Sequence, residues 1–291
     1  MYTFVELYTN PDQWAQTREK IDMLGYADHV LGNTYSDEEP EAGFAAMREW
    51  GIPLALEVGA VKEWGITGIR TYMNEKSHWE RFVRLGADLQ AICFDEPLVA
   101  VEREQFDDVI GDGDRMAYAV QETTNFIKVV RNDYPDLMMG DIEAFPYFDA
   151  DYIIEWIDAL EKSLADNGMA GMDFFRLDVD WNAFGKNPGV RKRQWEEVKR
   201  IEDHCKEIGL PFSMIYWASD VAGSEALRAD ESSWYNSIMQ QGEEYAAVGG
   251  DPDQYDIQTW IEGIPHTTLP ETADWTFTRS VLDFYNRFIA E

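Results

Sequence analysis

The chain has 291 residues, a length that one barrel of alternating strands and helices routinely fills, and its 45% hydrophobic and 14% aromatic content supplies a large core and excludes a disordered composition. Asp and Glu outnumber Lys and Arg by 56 to 24, a formal charge of -32 whose field repels phosphate backbones, so no nucleic-acid partner is expected and a solvated acidic surface is the ordinary reading. No apolar run approaches the roughly 18 residues that span a bilayer, so no membrane partner is expected.

No basic and then apolar segment opens the chain, which leaves cytoplasmic location and export with a removed leader both open. The two cysteines, Cys93 and Cys205, fall in an apparent strand and an apparent helix and read as small buried hydrophobes. With no CxxC pair and only four histidines, a zinc site is not expected.

In chain order, the first predicted strand is Phe4–Thr9, whose alternation turns Val5 and Leu7 toward helices and Glu6 and Tyr8 toward a lumen. Asn10-Pro11 starts a helix, and Gly25, Gly51, Gly86 and Gly209 stand where helices should stop. His29–Tyr35 is the second strand. In the third, Leu54–Val61, Leu54, Leu56 and Val58 face outward and Glu57 inward; in the fourth, Leu89–Asp95, Ile92 and Phe94 face outward and leave Asp95 inside. The fifth, Leu137–Glu143, is read with Met138, Gly140 and Ile142 outward, which places Asp141 and Glu143 in the lumen.

Ile153, Trp156, Leu160 and Leu164 mark the apolar face of the next helix. Asp173–Trp181 then turns Phe175, Leu177 and Val179 outward and Arg176, Asp178 and Asp180 inward. Pro211–Ser219 is the seventh strand, and Asp256–Glu262 the eighth, with Gln258, Trp260 and Glu262 inward. Val281, Phe284 and Phe288 lie on a last helix that would close the outer ring. Eight strand–helix units without a long linker predict an α/β protein, a (β/α)8 TIM barrel forming a single catalytic domain over residues 1–291.

A barrel built for structure alone fills its lumen with Val, Ile and Leu, because an unpaired buried carboxylate costs several kcal/mol. Arg176 is expected to compensate Glu57, Glu6 or Asp141, and it cannot neutralise every acid. The remainder gather at the C-terminal ends of strands, the face where barrel active sites are built. Glu96, Glu143, Asp178 and Asp180 are therefore the candidate catalytic residues, since crowding raises the pKa of at least one carboxyl and glycosidic cleavage needs one acid and one second carboxyl. Tyr8, Asp95, Asp141, Trp181, Trp217, Trp260 and Glu262 are the candidate carbohydrate-binding residues. Trp217 and Trp260 lead the loop aromatics, which include Tyr35, Trp64, Tyr72, Tyr147 and Phe184.

The segment Asp95-Glu96-Pro97 resembles the Asn-Glu-Pro signature of retaining barrel glycoside hydrolases, in which the glutamate after the fourth strand is the acid/base. The resemblance implies that Glu96 donates the proton, with Asp95 standing where that group has an asparagine on the sugar 2-hydroxyl. The group's nucleophile, a glutamate ending strand seven, has no counterpart in Phe212–Asp220. No cofactor is expected on this reading. Two others remain open: a divalent-metal-dependent sugar isomerase, epimerase or lyase, in which Glu143 and Asp178 hold the cation and Lys62 or His266 is the base, and a non-catalytic sugar-binding barrel. The sugar, the linkage and the oligomeric state are not fixed by the sequence.

Overall fold

The computed structural model describes residues 4–217, 230–259 and 267–290. Among them, seven strands run parallel and each lies beside the next in sequence: β1 (Leu24–Ala27), β2 (Leu54–Val58), β3 (Leu89–Asp95), β4 (Met138–Phe145), β5 (Phe174–Val179), β6 (Phe212–Tyr216) and β7 (Gln254–Ile257). Parallel neighbours require a crossover between every pair, and helices supply it. The principal ones are α1 (Phe4–Thr9), α2 (Asp28–Thr34), α3 (Glu38–Trp50), α4 (Gly68–Arg84), α5 (Pro97–Ala100), α6 (Arg115–Asp133), α7 (Ala150–Asp166), α8 (Pro188–Ile208), α9 (Ser233–Ala247) and α10 (Phe277–Phe284). This is the expected α/β barrel of the TIM type.

Local chemistry sets the helix ends. Asp114 and Asp149 accept the backbone N–H groups of Ala117 and Tyr152 at 3.0 and 2.9 Å, satisfying donors that a helix start leaves over. Gly51 and Gly209 end α3 and α8 in the left-handed region, as their positions in the sequence predict.

Two apolar clusters lie on opposite faces of the sheet. Leu56, Phe94, Phe175, Leu177 and Met214 join Trp79, Phe126, Trp156 and Trp195 of the helix layer, whereas Cys93, Ile142, Phe174, Ile215 and Trp217 fill the barrel interior. Cys93 and Cys205 are both free and buried.

Three sequence expectations are corrected. Phe4–Thr9 forms a helix instead of a strand: its six residues fit either period, and packing of Phe4 against Phe44 with ring centroids 5.7 Å apart decides the outcome. Glu6 and Tyr8 therefore do not line the lumen; the Tyr8 ring meets Phe4 at 5.6 Å. Residues 29–34 lie in α2, and the first strand is the shorter β1 before it, so the sheet has seven strands among the described residues where eight were expected.

The third correction is the phase of β4. Residues opposite one another in a parallel ladder point to the same face. Gly140 pairs with Cys93 and Phe174, and Ile142 with Asp95 and Arg176, so these face inward. Asp141 pairs with Phe94 and Phe175, and Glu143 with Leu177, so both acids face the helix layer. The bare Gly140 gives the reason: a Cβ there would overlap the Phe174 ring, so this position leaves space for a neighbour inside the barrel.

Candidate functional site

The interior acids are balanced from two strands. Arg176 Nη1 lies 2.6 Å from Asp256 on β7, and its Nε donates to Ser213 Oγ at 2.9 Å. The expected partners were Glu57, Glu6 or Asp141; Asp256 takes the pairing because Ser213 and Gln254, and with them Asp256, share the inward phase. Glu57 faces inward on β2 opposite Cys93, as expected. Burial and then the charges of Asp95 and Asp256 push its carboxyl up to about 8, against the opposing pull of Lys62 and Arg176.

At the C-terminal end of the strands, Lys62 reaches from the loop after β2 to Asp95, with Nζ 2.6 Å from Oδ2. Burial lowers the ammonium pKa, but Asp95, with Glu96 and Glu63, outweighs it and the net shift is upward. Lys62 is thus held as a cation, which is the wrong state for a general base.

Glu96 sits between β3 and α5 with φ 51°, left-handed and uncommon for a residue with a Cβ. Its N–H donates to Ile142 O at 3.0 Å, which ties the turn to the adjacent strand. The side chain of Glu96 does not cap α5, although Glu96 occupies the N-cap position. Its carboxyl is raised by burial and by Asp95, while Lys62 and Arg103 pull it down.

Asp178 faces inward on β5 and accepts a hydrogen bond from the Trp217 indole N–H. Burial, and after it the charge of Glu96, raises Asp178 well above the usual carboxylate range, with the Trp217 bond opposing. The charge of Glu96 therefore reaches Asp178, and Trp217, 5% exposed in the interior cluster, braces Asp178.

The other expected site residues are placed differently. Asp141 and Glu143 are fully buried against helices and away from the lumen; Asp141 Oδ2 accepts Trp156 Nε1 at 2.7 Å, and Glu143 Oε1 accepts the Leu98 N–H at 2.7 Å. Burial drives both well above the carboxylate range. Asp180 is exposed beyond the end of β5. Trp181 belongs to the helix-side core with the Arg191 guanidinium 5.0 Å over its ring, so it offers no open face to a sugar there. Among the loop aromatics, Trp64 and Tyr147 are open, at 53% and 61% exposure. Trp260 and Glu262, with His266, lie outside the described residues.

Asp256 was given no role in the sequence reading, although the inward phase assigned to Gln258 on the same strand already implied that it lines the lumen. A separate groove of about 520 Å³ between α6 and α7, flanked by Gln121, Asn125 and Glu155, contains none of these strand-end residues. No group of three or more His, Cys, Asp or Glu side chains is arranged to hold a metal ion among the described residues. Nor is any described helix long and apolar enough to cross a membrane.

No protein-family model matches the chain, nor does any curated protein. Solved structures resemble it in fold. They include a curdlan-specific exo-β-1,3-glucanase of family GH128 from Blastomyces gilchristii, at 13% identity and TM-score 0.45 over 81% of this chain and 82% of that one. A GH10 protein from Paenibacillus barcinonensis matches at 11% identity and TM-score 0.47 over 91% and 85%. A D-psicose 3-epimerase matches at 13% and 0.47 over 97% and 93%. Glycoside hydrolases and an epimerase thus stand side by side, and likeness this distant assigns no activity to the chain.

Proposed function

We propose that the protein is a glycoside hydrolase that cleaves a glycosidic bond in an oligo- or polysaccharide, with Glu96 as proton donor and Asp178 as the second carboxyl. The observation that carries this reading is the Glu96 carboxyl, released from helix capping at the end of β3, raised in pKa by burial and Asp95, and acting by its charge on an interior-facing Asp178.

Burial raises Asp178 further than it raises Glu96, so the proposed roles require the proton to reside on Glu96: neutralising Glu96 removes the largest neighbouring charge that opposes ionisation of Asp178, and the Trp217 N–H stabilises the resulting carboxylate. In an inverting course the second carboxyl acts as general base instead of nucleophile. Asp178 would then activate water, which accords with the missing glutamate on the seventh predicted strand. On this reading Asp95, paired with Lys62, holds a sugar hydroxyl.

The test is hydrolysis of a glycan panel with product anomers followed by NMR. Glu96→Gln and Asp178→Asn should each lower kcat by about 10³-fold or more while thermal stability is kept, and activity should survive EDTA. Activity that EDTA abolishes would replace this reading with the metal-dependent isomerase, epimerase or lyase; glycan binding without turnover would replace it with a sugar-binding barrel.

A further inference from the structure

We infer that Glu143 is a positioning residue: from behind the sheet its carboxyl caps the helical turn α5 in place of the Glu96 side chain, and so keeps the Glu96 carboxyl free for the barrel mouth. The inference rests on the reading of Glu96 as proton donor and gives Glu143 a role other than the direct one expected from sequence.

A helix start leaves backbone N–H groups without partners, and the N-cap side chain ordinarily accepts one of them. In α5 the first residue, Pro97, has no N–H, so the first donor needing a partner is Leu98. Leu98 is fully buried, where water offers no substitute. The N-cap residue is Glu96, whose side chain makes no cap hydrogen bond. Glu143 Oε1 makes it instead, at 2.7 Å.

The arrangement is doubly anchored from β4. Ile142 O receives the Glu96 N–H at 3.0 Å and the next residue, Glu143, receives Leu98, so consecutive residues of one strand grip both sides of Pro97. That grip holds a left-handed Glu96, a conformation that persists only where its surroundings enforce it. Glu143 itself is shut off from any substrate, with 0% exposure and a second oxygen, Oε2, that makes no hydrogen bond among the described residues. The neighbouring charges are Asp95, Lys62, Arg103 and Asp178 around Glu96, and Asp141, Glu96 and Lys62 around Glu143.

The experiment compares Glu143→Met, which keeps the volume and loses the acceptor, with Glu143→Gln, which keeps an acceptor oxygen. Glu96 is followed by ¹³C NMR of glutamate-labelled protein, its signal assigned from Glu96→Gln. In Glu143→Met the Glu96 carboxylate should swing back to cap Leu98, and its titration should move down by about one pH unit because a carboxylate accepting a backbone N–H is favoured in its charged form. kcat on the cleaved glycan should fall at least about tenfold with KM within about threefold. Glu143→Gln should restore both. An unmoved Glu96 titration in folded Glu143→Met, or equal effects of Met and Gln, overturns the inference. Absence of glycan cleavage by the wild type would overturn the hydrolase reading alone, because the titration still decides the positioning role. If Glu143→Met does not fold, hydrogen exchange of the Leu98 amide in the wild type decides: strong protection that Glu143→Gln retains supports the cap, and free exchange overturns it.

Discussion

Lys62 Nζ contacts Asp95 Oδ2 at 2.6 Å, and this pair brings a buried cation to the residue immediately before Glu96. Lys62 also lowers the pKa of Glu96, while Asp178 responds chiefly to burial and to Glu96. Replacing the ammonium should therefore affect the two carboxyls unequally.

With the proposed roles, in which Glu96 sets the alkaline and Asp178 the acidic limb of the kcat/KM profile, Lys62→Met should move the alkaline limb to higher pH and leave the acidic limb nearly in place. The loss at neutral pH should be about tenfold, from a misplaced Asp95. Lys62→Arg should restore most of it. A profile in which both limbs move together would contradict the assignment.

Trp217→Phe removes the indole N–H that Asp178 accepts, without emptying the interior cluster. With that donor gone Asp178 should titrate higher, so the acidic limb should rise and kcat fall about 10- to 100-fold, with KM changed far less. Steady-state kinetics between pH 4 and 9, alongside circular dichroism to confirm folding, would show it.

Stability should decline as pH rises from about 5 to 9. Glu75 on α4 is buried, and burial with the Asp28 charge pushes its carboxyl up to about 9; Glu57 reaches about 8. Both raised acids bind a proton in the folded chain across a range where the unfolded chain, at about 4.3, has released it, so the folded state loses ground with increasing pH until their folded pKa values are passed. Glu75→Gln preserves an acceptor for the Gly59 N–H, now met by Oε1 at 3.0 Å, and should flatten the slope. Thermal melts should show the wild type losing at least about 5 °C across this range and the variant losing less.

Gly140→Ala tests the phase of β4. An added Cβ would collide with the Phe174 ring inside the barrel, and the expected cost is about 1–3 kcal/mol in urea unfolding. With the opposite phase, the methyl group would meet the helix layer and Phe174 would be untouched.

The repeating alternation of strand and helix patterns made the barrel legible, and β3 matches its predicted bounds because Gly86 and Pro97 punctuate it on both sides. Glu57, Asp95, Arg176 and Asp178 were likewise legible as inward-facing, since bulky apolar residues fill the alternate positions of their strands. The N-terminal elements were not legible: Phe4–Thr9 is too short for its period to separate helix from strand, and β1 is only four residues long. In β4 Asp141 and Glu143 alternate with apolar Gly140 and Ile142, so the pattern pointed the acids into the lumen, and the space that Gly140 gives Phe174 decided the opposite phase.

The sequence by itself determined the architecture and the wealth of acids at one end of it, because periodicity and turn residues act over a few positions. Only the tertiary structure decided which acids line the interior and which stand behind the sheet: Asp178 faces inward with Asp95, while Glu143 meets the Leu98 N–H from the helix side. Side-chain direction in a strand reverses with every residue, so a single step of register, set by packing between distant segments, separates a carboxyl inside the barrel from one buried against the helices.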